Sequence, residues 1–356
     1  MNTPARASQR APKRQAFQLG TETVEPGTRK TIRLKISRLS DHTPMSLTSH
    51  VIHGRREGPV VFVSAAIHGD EIIGVEVIRR LKDMKALNRL KGTLILVPVV
   101  NAYGFVAQSR YLPDRRDLNR SFPGSANGSL AGQLAHRFMS EIVAKCDYGL
   151  DLHTGAIHRA NLPQIRADLS NGEVEAMAQA FGAPIMLHSD LRDGSLREAA
   201  GAIGCKTLLF EAGEALRFDE TAIRIGVRGV LGVLRHIGML SASKKASSFA
   251  PIRSDSSHWL RASVGGVMRA RKSLGDRVRQ NEIIAEISDP LGEETKAVRA
   301  RQSGIVIGRS NLPVVNRGDA LFHIARVKSV ADAEDAIEAL DDEIELDPLF
   351  DGEEIV

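Results

Sequence analysis

The feature that most restricts the fold is an alternation of continuously apolar segments with amphipathic ones between residues 59 and 237. The apolar segments at 59–68 and 93–100 are short and rich in β-branched residues, whereas 71–84 has apolar residues three or four positions apart. Further strands are predicted at 148–153, 185–188 and 207–210, and further helices at 130–146 and 220–237. Strands that are apolar throughout are buried on both faces. The pattern therefore predicts an α/β fold with a mixed, mostly parallel sheet and helices on both faces.

The chain is too long for one compact core, since 356 residues exceed the usual size of a single domain. After residue 257, short apolar runs alternate with Gly-Asp and Asn/Arg-Gly turns, which predicts a second, small all-β barrel-sandwich domain. The predicted division, in chain order, is a disordered basic arm at 1–28, the α/β domain at 29–240, a linker at 241–257, the β domain at 258–328 and an acidic tail at 329–356.

Charge and composition exclude several classes of partner. The formal net charge is +5, but residues 1–15 hold four basic and no acidic side chains, and 331–356 hold twelve acidic and no basic ones. Aromatic residues make up only 4% of the chain and no reader motif occurs, so we expect no nucleic-acid partner. No apolar run reaches the roughly 18 residues of a membrane helix, so we expect no membrane partner. Two isolated cysteines, Cys146 and Cys205, argue against a disulfide framework and favour a cytoplasmic location.

The strongest chemical signal is the sequence His-Gly-Asp-Glu at 68–71, between a predicted buried strand and a helix. Ligands of α/β folds bind at the carboxyl ends of parallel strands, and His153 ends another such strand. His68, Glu71 and His153 would provide two imidazoles and one carboxylate with a position left for water, which is the ligand set of a catalytic zinc hydrolase. Such a site also accepts cobalt or manganese. The alternative is that both histidines are turn residues that hydrogen-bond the backbone.

Two further motifs carry polar chemistry. The sequence Asp-Leu-Asn-Arg at 117–120 follows Arg110, and the amide of Asn119 beside the guanidinium of Arg120 suits a substrate carboxylate. The alternative is a solvated basic loop. Glu211 directly follows the apolar segment 207–210. A carboxylate buried at the end of a strand is suited to the role of general base. The alternative is a structural carboxylate at a strand end.

Together, these motifs resemble the succinylglutamate desuccinylase/aspartoacylase family, whose fold is that of the zinc carboxypeptidases. The resemblance covers about 58–238, and four motifs occur in the family's order. It implies one zinc ion per chain, bound by His68, Glu71 and His153, with Glu211 as the base that activates water.

The same resemblance implies roles for the loop residues. Arg110 would polarise the scissile carbonyl, and Asn119 and Arg120 would bind a substrate carboxylate. Asp117 would hydrogen-bond a metal-binding histidine. The expected activity is hydrolysis of an N-acyl amino acid, a small anionic substrate, to an acid and an amine. The alternatives are a carboxypeptidase acting on a peptide or poly-amino-acid tail and a non-catalytic binding module.

The segment 265–324 resembles the barrel-sandwich domains that carry biotin or lipoate. Those domains need a lysine at an exposed hairpin, but the corresponding residues 288–294 contain none. We therefore expect no carrier function. The hypothesis that remains is a lid over the zinc groove or a module for homo-oligomerisation.

Overall fold

The computed structural model describes residues 14–39, 41–242, 249–345 and 347. The helices are α1 (Ile73–Asp83), α2 (Ala102–Val106), α3 (Leu130–Glu141), α4 (Gly172–Phe181), α5 (Leu196–Ala202), α6 (Glu220–His236) and α7 (Val330–Glu345). The strands up to residue 214 are β1 (Phe17–Leu19), β2 (Glu22–Val24), β3 (Thr28–Arg38), β4 (Pro44–His53), β5 (Arg56–Ala65), β6 (Lys91–Val97), β7 (Tyr148–Gly155), β8 (Arg159–Ala167), β9 (Ile185–His188) and β10 (Lys206–Glu214). Those after it are β11 (Ile252–Ser254), β12 (Ser256–Arg261), β13 (Gly266–Ala270), β14 (Arg277–Val278), β15 (Ile283–Ser288), β16 (Thr295–Arg299), β17 (Gly304–Ser310), β18 (Val314–Val315) and β19 (Ala320–Arg326).

A large mixed sheet organises the molecule, in the order β12-β19-β17-β8-β10-β7-β5-β6-β4-β3. Its centre is parallel, since β5 pairs in parallel with β6 and β7, and β7 pairs in parallel with β10. Antiparallel strands flank this centre: β4 on one side and β8 on the other. The predicted fold class, a mixed and mostly parallel sheet with an additional C-terminal β unit, is confirmed.

Alternate residues of the central strands enter two different cores, because successive side chains of a strand point to opposite faces. In β5, Val61 and Val63 pack with α1, α4 and α6, whereas Phe62 packs with α3 and α5. All three side chains are fully buried. The sheet is therefore covered by helices on both faces, which explains why its strands are apolar throughout.

The expectation of a disordered arm at 1–28 is wrong for the part that the structure describes; residues 1–13 lie outside it. Strands β1 and β2 form an antiparallel hairpin, and Leu19 and Val24 are buried in the core beneath α3. Arg14 donates hydrogen bonds to the carbonyl oxygens of Gly54 and Gly92 at 2.8 and 2.7 Å. Two apolar residues and one well-placed arginine anchor a segment whose composition is otherwise typical of a loop.

The linker predicted at 241–257 also differs from expectation. Residues 243–248 lie outside the described part, but β11 pairs in parallel with β9, and β12 begins at Ser256. The polar composition of this segment predicted a linker. The strands form nevertheless, because hydrogen bonds to an existing sheet edge stabilise them without many apolar residues of their own. The C-terminal unit is joined to the α/β unit by the pairing of β17 with β8. A four-stranded sheet, β16-β15-β13-β18, completes it.

The described part of the acidic tail forms α7, which packs on α6 and β17. Leu340 and Ile344 are buried in the main core. Glu343 pairs with Arg228 of α6, and Glu334 lies 3.2 Å from Arg277 of β14. Helix α7 therefore forms one ion pair with each structural unit. None of the helices in the described part of the chain is both long and apolar enough to cross a membrane.

Candidate active site

Three potential metal ligands meet at the carboxyl ends of two neighbouring parallel strands. His68 follows β5, Glu71 precedes α1, and His153 lies in β7, which pairs with β5. Their ligand atoms all lie within 4.8 Å of one another, and all three side chains are buried. The turn between His68 and Glu71 is tight against α2, because a Cβ atom on Gly69 would lie 1.9 Å from the carbonyl carbon of Gly104. Glycine at this position therefore allows the strand, the turn and α2 to pack together.

The donor atoms fit a divalent metal ion. The Nδ1 atoms of His68 and His153 lie 2.6 and 2.7 Å from the two oxygens of Glu71. Nδ1 of His68 is buried and has no hydrogen bond of acceptable geometry, so it is a polar atom that a ligand could satisfy. Two imidazoles and a carboxylate that face one point, away from solvent, form the donor set of a His₂Glu metal site.

Each histidine is oriented by a second carboxylate on its far side. Nε2 of His68 lies 3.1 Å from Asp117, and Nε2 of His153 lies 2.7 Å from Asp151. Asp151 also accepts a hydrogen bond from the hydroxyl of Ser64 at 2.8 Å. Carboxylates in this position fix the ring orientation of metal-binding histidines and make them better donors.

Electrostatic coupling in this group is strong. Burial by itself would raise the pKa of Glu71, but the two histidines lower it below its ordinary value. Burial by itself would lower the pKa of His153, but Asp151 and Glu71 raise it well above its ordinary value. The pKa of His68 is also raised, by Glu71 and Asp117 against the effect of burial. A metal ion that bound at this group would have to displace any protons the two histidines carry.

The loop before α3 contributes a guanidinium to this group. Arg110 donates to Asp117 at 2.9 Å and to Glu71 at 3.2 Å. Asp117 also accepts from the backbone N–H of Asn119 at 2.8 Å, and so begins the 3₁₀ turn Leu118–Arg120. Burial would raise the pKa of Asp117, but His68 and Arg110 lower it below its ordinary value. One carboxylate thus fixes His68, Arg110 and the turn that presents the next two predicted residues.

Asn119 and Arg120 both line the cavity, but in different ways. Asn119 is buried, and its side-chain oxygen accepts a hydrogen bond from the backbone N–H of Leu196 at 2.9 Å. That oxygen therefore holds the start of α5, and the amide nitrogen is the group left for a substrate. Arg120 is exposed, and its Nη1 donates to the carbonyl oxygen of Asn119 at 2.5 Å.

Glu211 lies beside the three metal-binding candidates. It is in β10, at the register position opposite His153 of β7. Its Oε2 accepts a hydrogen bond from Asn161 Nδ2 at 2.5 Å, and its Oε1 lies 3.6 Å from Arg166. The side chain is about 15% exposed, so it can reach a ligand in the cavity.

A cavity of about 250 Å³ connects these residues. The predicted residues His68, Glu71, Arg110, Asn119, Arg120, His153 and Glu211 line it, and Asp117 supports two of them from outside. Residues that the sequence analysis did not identify also line the cavity: Asp151, Arg159, Asn161, Arg166, Ser189, Arg192, Ser195, Arg197 and Trp259. Of these, only Asp151 had a local signal, since it lies two residues before His153 on the same face of a strand.

The fold and the site together define a member of a known enzyme family. Residues 57–237 match the sequence model of the succinylglutamate desuccinylase/aspartoacylase catalytic domain. The chain belongs to this family, as its motifs indicated. The family consists of deacylases, which supports hydrolysis of amide bonds by this chain.

Individual relatives agree with this assignment. The chain is 29% identical over 286 residues to the N-alpha-acetyl-L-2,4-diaminobutyric acid deacetylase of Halomonas elongata, covering 77% of this chain and 84% of that protein. A crystal structure of a succinylglutamate desuccinylase/aspartoacylase from Rhodobacter sphaeroides superposes with a TM-score of 0.75 at 25% identity, covering 84% of this chain and 96% of that one. The product-bound ectoine utilization protein EutE (DoeB) of Ruegeria pomeroyi shares the fold, with a TM-score of 0.75 at 24% identity over 84% of this chain and 94% of that one.

Proposed function

We propose that this chain is a zinc-dependent deacylase that hydrolyses the amide bond of an N-acyl amino acid. The observation that carries the proposal is the meeting of His68, Glu71 and His153 in a cavity that Glu211 also lines. A buried His₂Glu group beside a carboxylate outside that group is a hydrolytic arrangement, because it can hold a metal ion and a base next to one water molecule.

The proposed roles follow from position. His68, Glu71 and His153 would hold one zinc ion, for which cobalt or manganese could substitute. When bound, the ion supplies a Lewis acid that polarises the amide carbonyl and makes water more acidic. Asp117 and Asp151 keep the two imidazoles in the orientation that presents Nδ1 to the ion.

The chain's own residues would then carry out the proton transfers and hold the substrate. Glu211 accepts a proton from the attacking water, whose oxygen bonds to the carbonyl carbon, and later returns that proton to the amine nitrogen as the C–N bond breaks. Arg110 donates hydrogen bonds to the oxygen that becomes negative during attack. Asn119 and Arg120 bind the substrate carboxylate, which aligns the amide with Glu211.

The charges of the cavity favour an anionic substrate. Six arginines line it: Arg110, Arg120, Arg159, Arg166, Arg192 and Arg197. The three acidic residues in its wall are Glu71, Asp151 and Glu211, of which the first two already pair with His153. The relative from Halomonas elongata acts on a substrate whose side chain ends in an amine. Glu211, the third, already contacts Asn161 and Arg166. Since each carboxylate in the described wall has a partner, we expect this chain to prefer N-acyl amino acids with acidic side chains.

A substrate screen tests this function. The purified chain, with its metal content measured, would be incubated with N-acetyl and N-succinyl derivatives of aspartate, glutamate and 2,4-diaminobutyrate, and with short peptides. We expect amine release from the acidic derivatives, and loss of that release after treatment with a chelator. Cleavage of peptides alone would instead indicate a carboxypeptidase, and absence of both zinc binding and turnover would indicate a binding module.

Arg197 provides a more specific prediction. It is 7% exposed, its Nε has no hydrogen-bond partner, and burial together with the charge of Arg166 lowers its pKa to about 10. At neutral pH, well below that pKa, the folded chain carries a desolvated cation. The Nη atoms of Arg197 donate only long hydrogen bonds, of 3.3 to 3.4 Å, to Ser189 and to the carbonyl oxygen of Arg166, and no carboxylate of the described residues lies within ion-pair distance. We therefore expect Arg197→Met to raise the free energy of unfolding by about 1–3 kcal/mol, because a buried charge without an ion pair is costly.

The same substitution should weaken substrate binding. We expect KM for a dicarboxylic N-acyl amino acid to rise about tenfold or more, since a charge-assisted hydrogen bond is lost. Denaturant titration and steady-state kinetics measure the two effects, and Arg33→Met on exposed β3 is the control. A variant that is less stable than the wild type and has an unchanged KM would contradict this role.

The C-terminal unit is proposed to act as the lid over the cavity that the sequence analysis considered. Trp259 of β12 lines the cavity, stacks on His323 with ring centroids 4.7 Å apart, and lies beneath the guanidinium of Arg159 at 5.5 Å. The bounds of the α/β and β domains, the cytoplasmic location, the absence of nucleic-acid and membrane partners and homo-oligomer formation stay predictions.

A further inference from the structure

Glu211 accepts a hydrogen bond from a residue of β8, the strand at which the two structural units meet. Strand β8 pairs with β10 on one side and with β17 of the C-terminal unit on the other. Asn161 of β8 is buried, and its Nδ2 donates to Glu211 Oε2 at 2.5 Å. This hydrogen bond fixes one carboxylate oxygen, so the other oxygen, Oε1, which lies 3.6 Å from Arg166, is the one left to receive a proton.

The amide of Asn161 is in turn enclosed by the C-terminal unit. Asn161, Gly308, His323 and Trp259 occupy paired positions on four adjacent strands, β8, β17, β19 and β12. Gly308 has no side chain, and a Cβ atom there would lie 2.9 Å from Asn161 Oδ1 and 3.1 Å from His323 Cβ. The Asn161 amide therefore occupies the space that a side chain at position 308 would fill.

We propose that Asn161 is a positioning residue for Glu211 and that the C-terminal unit, through Gly308, keeps Asn161 in place. The C-terminal unit therefore takes part in orienting the base as well as covering the cavity. This inference rests on the proposed role of Glu211 as the base. It gives the row from Trp259 to Asn161 a function that neither the motifs nor the family relationship assigns to it.

Kinetics of single and double variants test the inference, with the N-acyl amino acid that the wild type hydrolyses fastest in the screen. We expect Asn161→Ala to lower kcat about 10- to 100-fold, as for loss of a hydrogen bond to a charged group, with KM within about threefold of the wild type and zinc content unchanged. If Asn161→Ala does not fold, Asn161→Ser replaces it, because serine is smaller but polar, and the same changes in kcat, KM and zinc content are expected. In a Glu211→Gln background, Asn161→Ala should cause no more than about a twofold further loss, because residues that act through one another are not additive.

Gly308→Ala isolates the contribution of the C-terminal unit. Its methyl group presses on the Asn161 amide, and we expect kcat to fall on the order of tenfold without loss of zinc. The matched control is Gly172→Ala at the start of α4, where a Cβ atom meets nothing within 4 Å, and which should behave as the wild type.

Several results would overturn the inference. These are an Asn161→Ala variant with wild-type kcat, one in which only KM rises, a full additional loss in the Glu211→Gln background, or a Gly308→Ala variant that matches Gly172→Ala. Failure of the proposed function gives other results: Glu211→Gln would retain wild-type turnover, or the wild-type chain would hydrolyse no N-acyl amino acid. In either case the inference would also be wrong.

Discussion

Replacement of His153 with alanine is expected to abolish both metal binding and turnover. The substitution removes one of three ligand atoms that lie within 4.8 Å of one another, and leaves the negative charges of Glu71 and Asp151 buried without their shared partner. Elemental analysis should show zinc falling from one ion per chain to a trace, and turnover should fall roughly 1,000-fold or more, since the Lewis acid is lost. Zinc should raise the melting temperature of the wild type but not of the variant.

The control for this prediction is His136→Ala, which removes an exposed histidine from α3. It should retain zinc and activity. Because the charges left in His153→Ala can destabilise the fold, His153→Asn serves as a second variant that keeps a polar side chain near Asp151. Full zinc content in either His153 variant would show that the metal binds elsewhere.

Replacement of Glu211 with glutamine is expected to separate chemistry from metal binding. Glutamine keeps the size of the side chain but cannot accept the proton from water, so kcat should fall roughly 100- to 10,000-fold. Zinc content and KM should stay close to those of the wild type, because Glu211 is not in the group of three potential ligands. Glu211→Ala should lose at least as much activity.

Glu293→Gln, at an exposed turn of the C-terminal unit, is the matched control and should be fully active. Parallel measurement of zinc distinguishes the two failures. Loss of zinc together with activity would make Glu211 a structural or metal-binding residue, and wild-type turnover would remove it from the mechanism. Only loss of kcat with zinc retained fits a base.

The central strands and the metal-binding candidates could be predicted because both are encoded locally. An apolar run such as that of β5 is recognisable without its neighbours, and His68 and Glu71 are separated by a single turn. The structure brings His153 to this turn because β5 and β7 are parallel neighbours. The carboxyl ends of parallel strands meet at the same edge of a sheet, so this proximity followed from the fold class.

Strand β8 could not be predicted in the same way. It contains Pro163, which argues against a central strand, and it carries Arg159 and Arg166, which are typical of a surface. It is nevertheless enclosed between β10 and β17. Two of its polar side chains are held by hydrogen bonds: Asn161 donates to Glu211, and Gln164 donates to the carbonyl oxygens of Leu162 and Ile307.

The sequence by itself determined the α/β class and the family, and it pointed to the three residues that meet as candidate metal ligands. The tertiary structure alone decided how the two units join, that β1 and β2 pack on the core, and that Asn161, Gly308 and Trp259 form one row beside Glu211. The physical reason is the range of the interactions. Periodicity and motif spacing record contacts between neighbours in the chain, whereas the pairing of β17 with β8 joins residues that are distant in sequence and are matched only by shape, charge and hydrogen bonding in the folded molecule.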